Sequence, residues 1–168
     1  DFINAICKKE ATQINDIFSD MEKSVKIMES YVLDLVEDGR DIRDRDIQNE
    51  IIEYSESMFG DVAKHTNGAV AYYLRIAPEL SDDKTGFFYS KPVGGNEYIR
   101  LEPTALSLYE KDDREHVGWF WEPYEAGQAV WMMPYHNQNN GIWMVSYVVP
   151  LYWDDQFIGV VGMDFDYA

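Results

Sequence analysis

Cysteine is almost absent: Cys7 stands alone in 168 residues. No internal disulfide can form, and neither an oxidising nor a reducing compartment is excluded. No apolar run approaches the length of a membrane helix, and none of these residues is expected to act as a signal peptide. The chain opens on Asp1, not Met, so it is expected to be a segment or processed product with any membrane anchor outside it. Basic residues are scarce, 14 against 31 acidic ones, and the resulting net charge of −17 argues against nucleic acid or an anionic membrane as a main partner. The same charge favours cationic ligands, though mostly it signals solubility. His65, His116 and His136 show no metal-ligand spacing. A Gly-rich phosphate loop and a Gly-x-Ser-x-Gly elbow are also missing. Accordingly no catalytic set, metal or cofactor is expected.

Aromatic residues are plentiful instead, with 12 Tyr and 5 Trp. Such side chains combine large apolar area with a polar handle and suit places where ligands are gripped. The length fits one domain with a sizeable core.

Residues 1 to about 37 contain neither Gly nor Pro and read as one long helix. Ile14, Phe18, Met21, Val25, Met28, Val32 and Leu35 alternate at spacings of four and three, and Ala11 and Cys7 extend this heptad seam backward. A helix of that length spans roughly 55 Å, more than a small domain covers. Part of it should meet another chain or stand free. Gly39 is expected to end this helix and Asp41 to cap a second one. Ile47, Ile51, Tyr54 and Met58 form its apolar face, and Gly60 is expected to stop it. "EDGRDIRDRD" has the wrong acid spacing for an EF-hand and reads as a solvated turn.

From Gly68 the period becomes two. "AVAYYLRIA" and "GFFYS" read as strands, followed by a long irregular aromatic loop with some helix around Thr104–Lys111. Three more strands follow, "AVWMMPYH", "IWMVSYVVPLYW" and "QFIGVVGMDFDYA". Asn140-Gly141 between the first two is a hairpin signal. The order implies an α+β domain with an antiparallel sheet and grouped helices.

The last strand poses a question. Period two places Phe157, Gly159, Val161, Met163 and Phe165 on one face, and Ile158, Val160, Gly162, Asp164 and Asp166 on the other. Both faces are apolar at the centre, so both should be covered. Asp164 then continues an apolar face, where a carboxylate is unfavourable unless something neutralises it. Either the sheet ends there and Asp164 is in water, or it is a polar group at the rim of a cavity. Trp119, Phe120, Trp121, Tyr124, Trp131 and Tyr135 crowd the preceding loop and strand start. Aromatics folded over a sheet that ends in an acid describe a small-molecule pocket.

The segments "GWF", "WMMPYHN" and "VSYVVPLYWDDQFIGVVGMDFD", in this order of elements, resemble the Cache family of extracellular sensor domains. The resemblance covers nearly the whole chain and is most specific in "GVVGMDFD" preceded by "VSYVVPL". It implies a PAS-like antiparallel sheet of five or six strands behind a long N-terminal helix. Residues 1–40 would form the dimerisation and signalling helix, and residues 41–168 the ligand-binding module. Against the pattern of amino-acid-binding members, Trp119 and Tyr135 match, Phe120 stands where Tyr is usual, and Asn137 replaces an Asp. Asp164 matches the last-strand Asp that receives a ligand's ammonium group, and Val117 occupies the arginine position.

The resemblance thus implies a non-catalytic sensing domain, outside a bacterial cytoplasmic membrane, of a chemoreceptor, histidine kinase or cyclic-dinucleotide enzyme. Trp119, Phe120, Tyr135, Asn137 and Asp164 would contact the ligand. Without an arginine at position 117, an amine or other cation-bearing ligand is favoured over an α-amino acid. Two rivals remain: a ligand-free dimerisation module whose aromatics are only core, and a hydrolase using the Asp164/Asp166 pair.

Overall fold

The computed structural model describes residues 1–37, 40–137 and 142–166, and within these the side chains at 133, 135, 137 and 142 lie outside the description. Three helices and six strands follow one another in the order α1 (Phe2–Glu37), α2 (Arg45–Lys64), β1 (Ala69–Ile76), β2 (Gly86–Ser90), β3 (Ile99–Leu101), α3 (Arg114–Ala126), β4 (Val130–Asn137), β5 (Ile142–Trp153) and β6 (Gln156–Asp166). The strands form one antiparallel sheet in the order β3-β2-β1-β6-β5-β4. The expected α+β, PAS-like architecture is what the chain adopts. Gly39 and the Asn140-Gly141 hairpin signal lie outside the described residues.

The heptad seam divides in two. Met21, Val25, Met28 and Val32 are wholly buried in the core between α1, α2 and the sheet. They belong to their own domain and do not face another chain. Residues 1–16 are all exposed, Ile3, Cys7, Ala11 and Ile14 among them. Trp131 anchors the buried half: its Nε1 donates to Glu22 Oε1 at 2.6 Å, and its ring meets Phe18 at 4.7 Å. Trp131 therefore faces α1, on the other side of the sheet from α3, and does not join the aromatics of residues 119–121.

Helix α2 departs from expectation at both ends. Its N-cap is Asp44, whose side chain accepts from Asp46 N at 2.8 Å. Asp41 instead forms the turn before it, accepting from Arg43 N at 2.9 Å. Gly60 does not stop the helix, which runs on to Lys64 with Ile51, Phe59 and Ala63 buried. Tyr54 lies on its exposed side. A glycine inside a helix is unfavourable relative to alanine, but a Cβ here would lie 3.2 Å from Tyr72 Oη.

The aromatic stretch read as a loop is helix α3. Asp113 caps it by accepting from His116 N, and Gly127 ends it in the left-handed conformation at φ 65°. Val117, Phe120 and Trp121, at helical spacing, bury against the sheet. The helix expected near Thr104–Lys111 is only a short 3-10 turn, Leu106–Leu108.

In β6 the strict alternation fails at one point. Leu151 of β5 pairs with Gly159 and Tyr152 with Phe157, so Ile158 is an extra residue. Such a bulge reverses which face the preceding residues address. Ile158 accordingly joins Val161 and Met163 on the α1/α2 side. Phe157 packs on Phe120 and Tyr124 of α3. Gly159 permits the bulge at φ 154°, where a Cβ would meet the Arg75 carbonyl oxygen at 2.2 Å.

Candidate functional site

Beyond the bulge the β6 alternation holds, and Val160, Gly162 and Asp164 address the α3 side. Asp164 is not in water: it is 1% exposed, between Ala71 of β1 and Ser146 of β5 in register. The Ser146 hydroxyl donates to Asp164 Oδ1 at 2.7 Å. Burial pushes the Asp164 carboxyl up to about 7, against a smaller opposing pull from the Ser146 hydrogen bond. No basic group forms an ion pair with it among the described residues.

One step along β6, Gly162 pairs with Tyr73 of β1. A Cβ at Gly162 would come within 2.5 Å of the Tyr73 ring, so glycine is what lets that ring lie over β6 at this point. Tyr73 meets Trp119 edge-on, with centroids 5.4 Å apart. Trp119 is fixed by its Nε1, which donates to His116 O at 2.8 Å. The Arg75 guanidinium lies 5.2 Å from the Trp119 ring centroid. Asp164, Ser146, Tyr73, Trp119 and Arg75 thus follow one another along one covered face.

Arg75 is 3% exposed and donates from Nη1 to the carbonyls of Asp83 at 3.0 Å and Thr104 at 2.7 Å. Burial lowers its pKa to about 10. It pairs with Val160, whereas Asp164 pairs with Ala71, which separates the two backbones by about 13 Å. Two further arginines are engaged elsewhere: Arg114 with Glu122 on the outer side of α3, and Arg100 with Glu56 on the opposite sheet face. Val117 is wholly buried core.

Of the five expected contact residues, Trp119, against Tyr73, and Asp164, against Ser146, lie on this same covered face. Phe120 stands behind Trp119 at 5.9 Å and packs towards Phe157, at the far end of β6. Tyr135 and Asn137 hold register positions opposite Met144 and Ile142; their side chains lie outside the described residues. Asp166 is exposed while Asp164 is buried, so the pair imagined for hydrolysis is not a matched one. Among the described residues no group of three His, Cys, Asp or Glu side chains could hold a metal, and no helix is long and apolar enough to cross a membrane.

Sequence pattern does not single out Ser146 or Tyr73. Ser146 carries a weak signal, being the one small polar residue within an apolar and aromatic run. The partnership of Tyr73 with Gly162 is a matter of strand register alone.

The model of the methyl-accepting chemotaxis protein-like family, first PDC sensor domain, matches residues 56–168. The chain belongs to this family. The Cache resemblance is thereby borne out, and the fold of this PDC sensor domain recurs in solved structures. Methyl-accepting chemotaxis protein X is 14% identical with a TM-score of 0.65, over 99% of this chain and 64% of that one. The periplasmic sensory domain of the Campylobacter jejuni chemoreceptor Tlp1 is 15% identical with a TM-score of 0.63, over 95% and 57%. The ligand-binding domain of the Pseudomonas aeruginosa PAO1 amino acid chemoreceptor PctC, in complex with GABA, is 16% identical with a TM-score of 0.61, over 99% and 65%. The chain therefore spans less than two thirds of each of these structures. No curated protein matches it in sequence.

Proposed function

We propose that this sensor domain is the periplasmic or extracellular ligand-binding part of a bacterial membrane receptor, and that it takes an amine or other cation-bearing small molecule on the α3 side of the sheet. The observation that carries this reading is Asp164: a buried carboxylate with one hydrogen bond from Ser146 and no cation in ion-pair contact among the described residues. A ligand ammonium would neutralise it. Trp119, backed by Phe120, would offer an aromatic wall, and Tyr135 and Asn137 would complete the contacts from β4. That a domain of the same fold holds GABA, which carries an ammonium group as well as a carboxylate, supports the ammonium part of this ligand class. An α-amino acid is less well served, because Arg75 lies far from Asp164 and is bound to carbonyls.

A thermal-shift screen against amines, amino acids, organic acids and purines tests this. A ligand at about a hundred times its dissociation constant adds roughly 2.7 kcal/mol, which for this size raises the melting point by roughly 5–11 °C. A second reading, a ligand-free structural module, draws on the dense packing of Trp119 and Phe120. Absence of any stabilising amine would favour it.

The exposed half of α1 is the proposed homodimer contact. Ile14, 51% exposed, can be charged without touching the core. Ile14→Lys should shift sedimentation towards monomer with an unchanged melting point, whereas Met21→Lys should unfold the domain. A wild-type chain that stays monomeric at millimolar concentration would refute the contact.

A further inference from the structure

The sheet face turned to α1 and α2 carries a cavity that the Asp164 site does not use. It measures about 550 Å³ and lies between α2, the surface of β1 and β2, and the segment joining β2 to β3. One wall is aromatic. Tyr72 and Tyr89, partners across the strands, stack at 5.0 Å with 8° between their planes, and Tyr98 meets Tyr72 edge-on at 4.9 Å.

The three hydroxyls differ. Tyr98 donates to Ala69 O at 2.9 Å, and Tyr89 donates to Glu56 Oε1 at 3.4 Å. Tyr72 is only 4% exposed and lines the cavity, yet its hydroxyl makes no hydrogen bond among the described residues. That hydroxyl is not sealed from solvent: it opens on the cavity, where a ligand acceptor can take the place of water. Gly60, the glycine inside α2, is the residue beside that hydroxyl, and a Cβ there would crowd it at 3.2 Å.

The charges around the cavity are balanced. Glu56 is already taken by Arg100 at 2.9 Å. Asp61, Lys64, Lys91 and Glu97 also line it, and none of the four is in an ion pair among the described residues. Lys91 Nζ stands 4.9 Å from the Tyr98 ring centroid, an ammonium resting on the aromatic wall. A ligand bearing only a cation would meet Lys64 and Lys91 unfavourably. One bearing only an anion would meet Asp61 and Glu97. A ligand with both ends satisfies both pairs.

We propose that this cavity is a second binding site, for a small zwitterion carrying an ammonium and a carboxylate, with the Tyr72 hydroxyl donating to the ligand. It lies on the opposite side of the sheet from Asp164 and stands independently of the amine site. The test is an NMR titration of the whole chain, following the tyrosine rings, with β-alanine, ethylamine and propionate as probes. β-Alanine should shift the Tyr72, Tyr89 and Tyr98 resonances saturably, and the two single-charge probes should not at the same concentrations. Tyr72→Phe keeps the ring and its stacking but removes the donor, and should weaken β-alanine binding roughly three- to tenfold. Asp164→Asn should leave these tyrosine shifts unchanged, which separates this site from the amine site. The proposal is overturned if β-alanine gives no saturable shift, if ethylamine or propionate alone does as well, if Tyr72→Phe binds undiminished, or if Asp164→Asn abolishes the effect.

Discussion

Asp164→Asn is expected to stabilise the ligand-free domain against heat at pH 8, and by about 3 kcal/mol more there than at pH 5. Burial holds the Asp164 carboxyl protonated up to about pH 7, against an ordinary value of 3.8. Between those two values the native state keeps a proton that the unfolded chain has released. Stability contributed by this group is therefore full below about pH 4 and is lost as pH rises to about 7, at roughly 1.4 kcal/mol per unit. From pH 5 to pH 8 the wild type should lose about 3 kcal/mol through this group, or roughly 6–12 °C in melting point for a domain of this length. Asparagine cannot ionise, yet its carbonyl can still accept from Ser146. Calorimetry of both proteins at pH 5 and pH 8 measures the difference. Parallel melting curves at the two pH values would show that the carboxyl is not perturbed in this way.

The same carboxyl sets the second expectation, which concerns affinity. An amine ligand pairs with the ionised form, and the amine stays protonated well above pH 8. With Asp164 titrating near 7, about one tenth of the sites are ionised at pH 6 and nearly all at pH 8, so affinity should rise about tenfold over that range. Asp164→Asn should remove the pH dependence. It should also weaken binding by roughly ten- to a hundredfold, since a hydrogen bond to a charged group contributes about 1.5–3 kcal/mol. Isothermal titration of the wild type and the variant decides the point. A ligand whose affinity is flat with pH, and equal in the two proteins, does not use Asp164.

These expectations rest on a residue that strand periodicity alone makes conspicuous. Asp164 continues an apolar face of a strand rich in Val and Gly, and that conflict marks it. Its partners are less visible. Ser146 sits on a neighbouring strand, and the Tyr73 ring lies over β6 only because Gly162 stands opposite it in the pairing of β1 with β6. Pairings between segments so far apart in the chain leave no trace in local pattern.

The residues that period and punctuation could place were those whose environment is set by near neighbours. The long N-terminal helix, the major strands, the α+β class and an acid out of place among apolar residues all follow from spacing within a few positions. Tertiary contacts decided the rest. The seam from Met21 to Val32 reads the same whether it meets a second copy or its own sheet, and only the fold shows that it meets the sheet. Consecutive aromatics with Gly118 and Pro123 look irregular, yet burial of Val117, Phe120 and Trp121 against the sheet makes them a helix. Gly60 stays helical because Phe59 and Ala63 are buried on either side of it, and the Tyr72 hydroxyl takes the space beside it. The bulge at Ile158 turned two side chains to faces that strict alternation denied them. In each case the deciding energy comes from packing between distant segments, which no window of sequence contains.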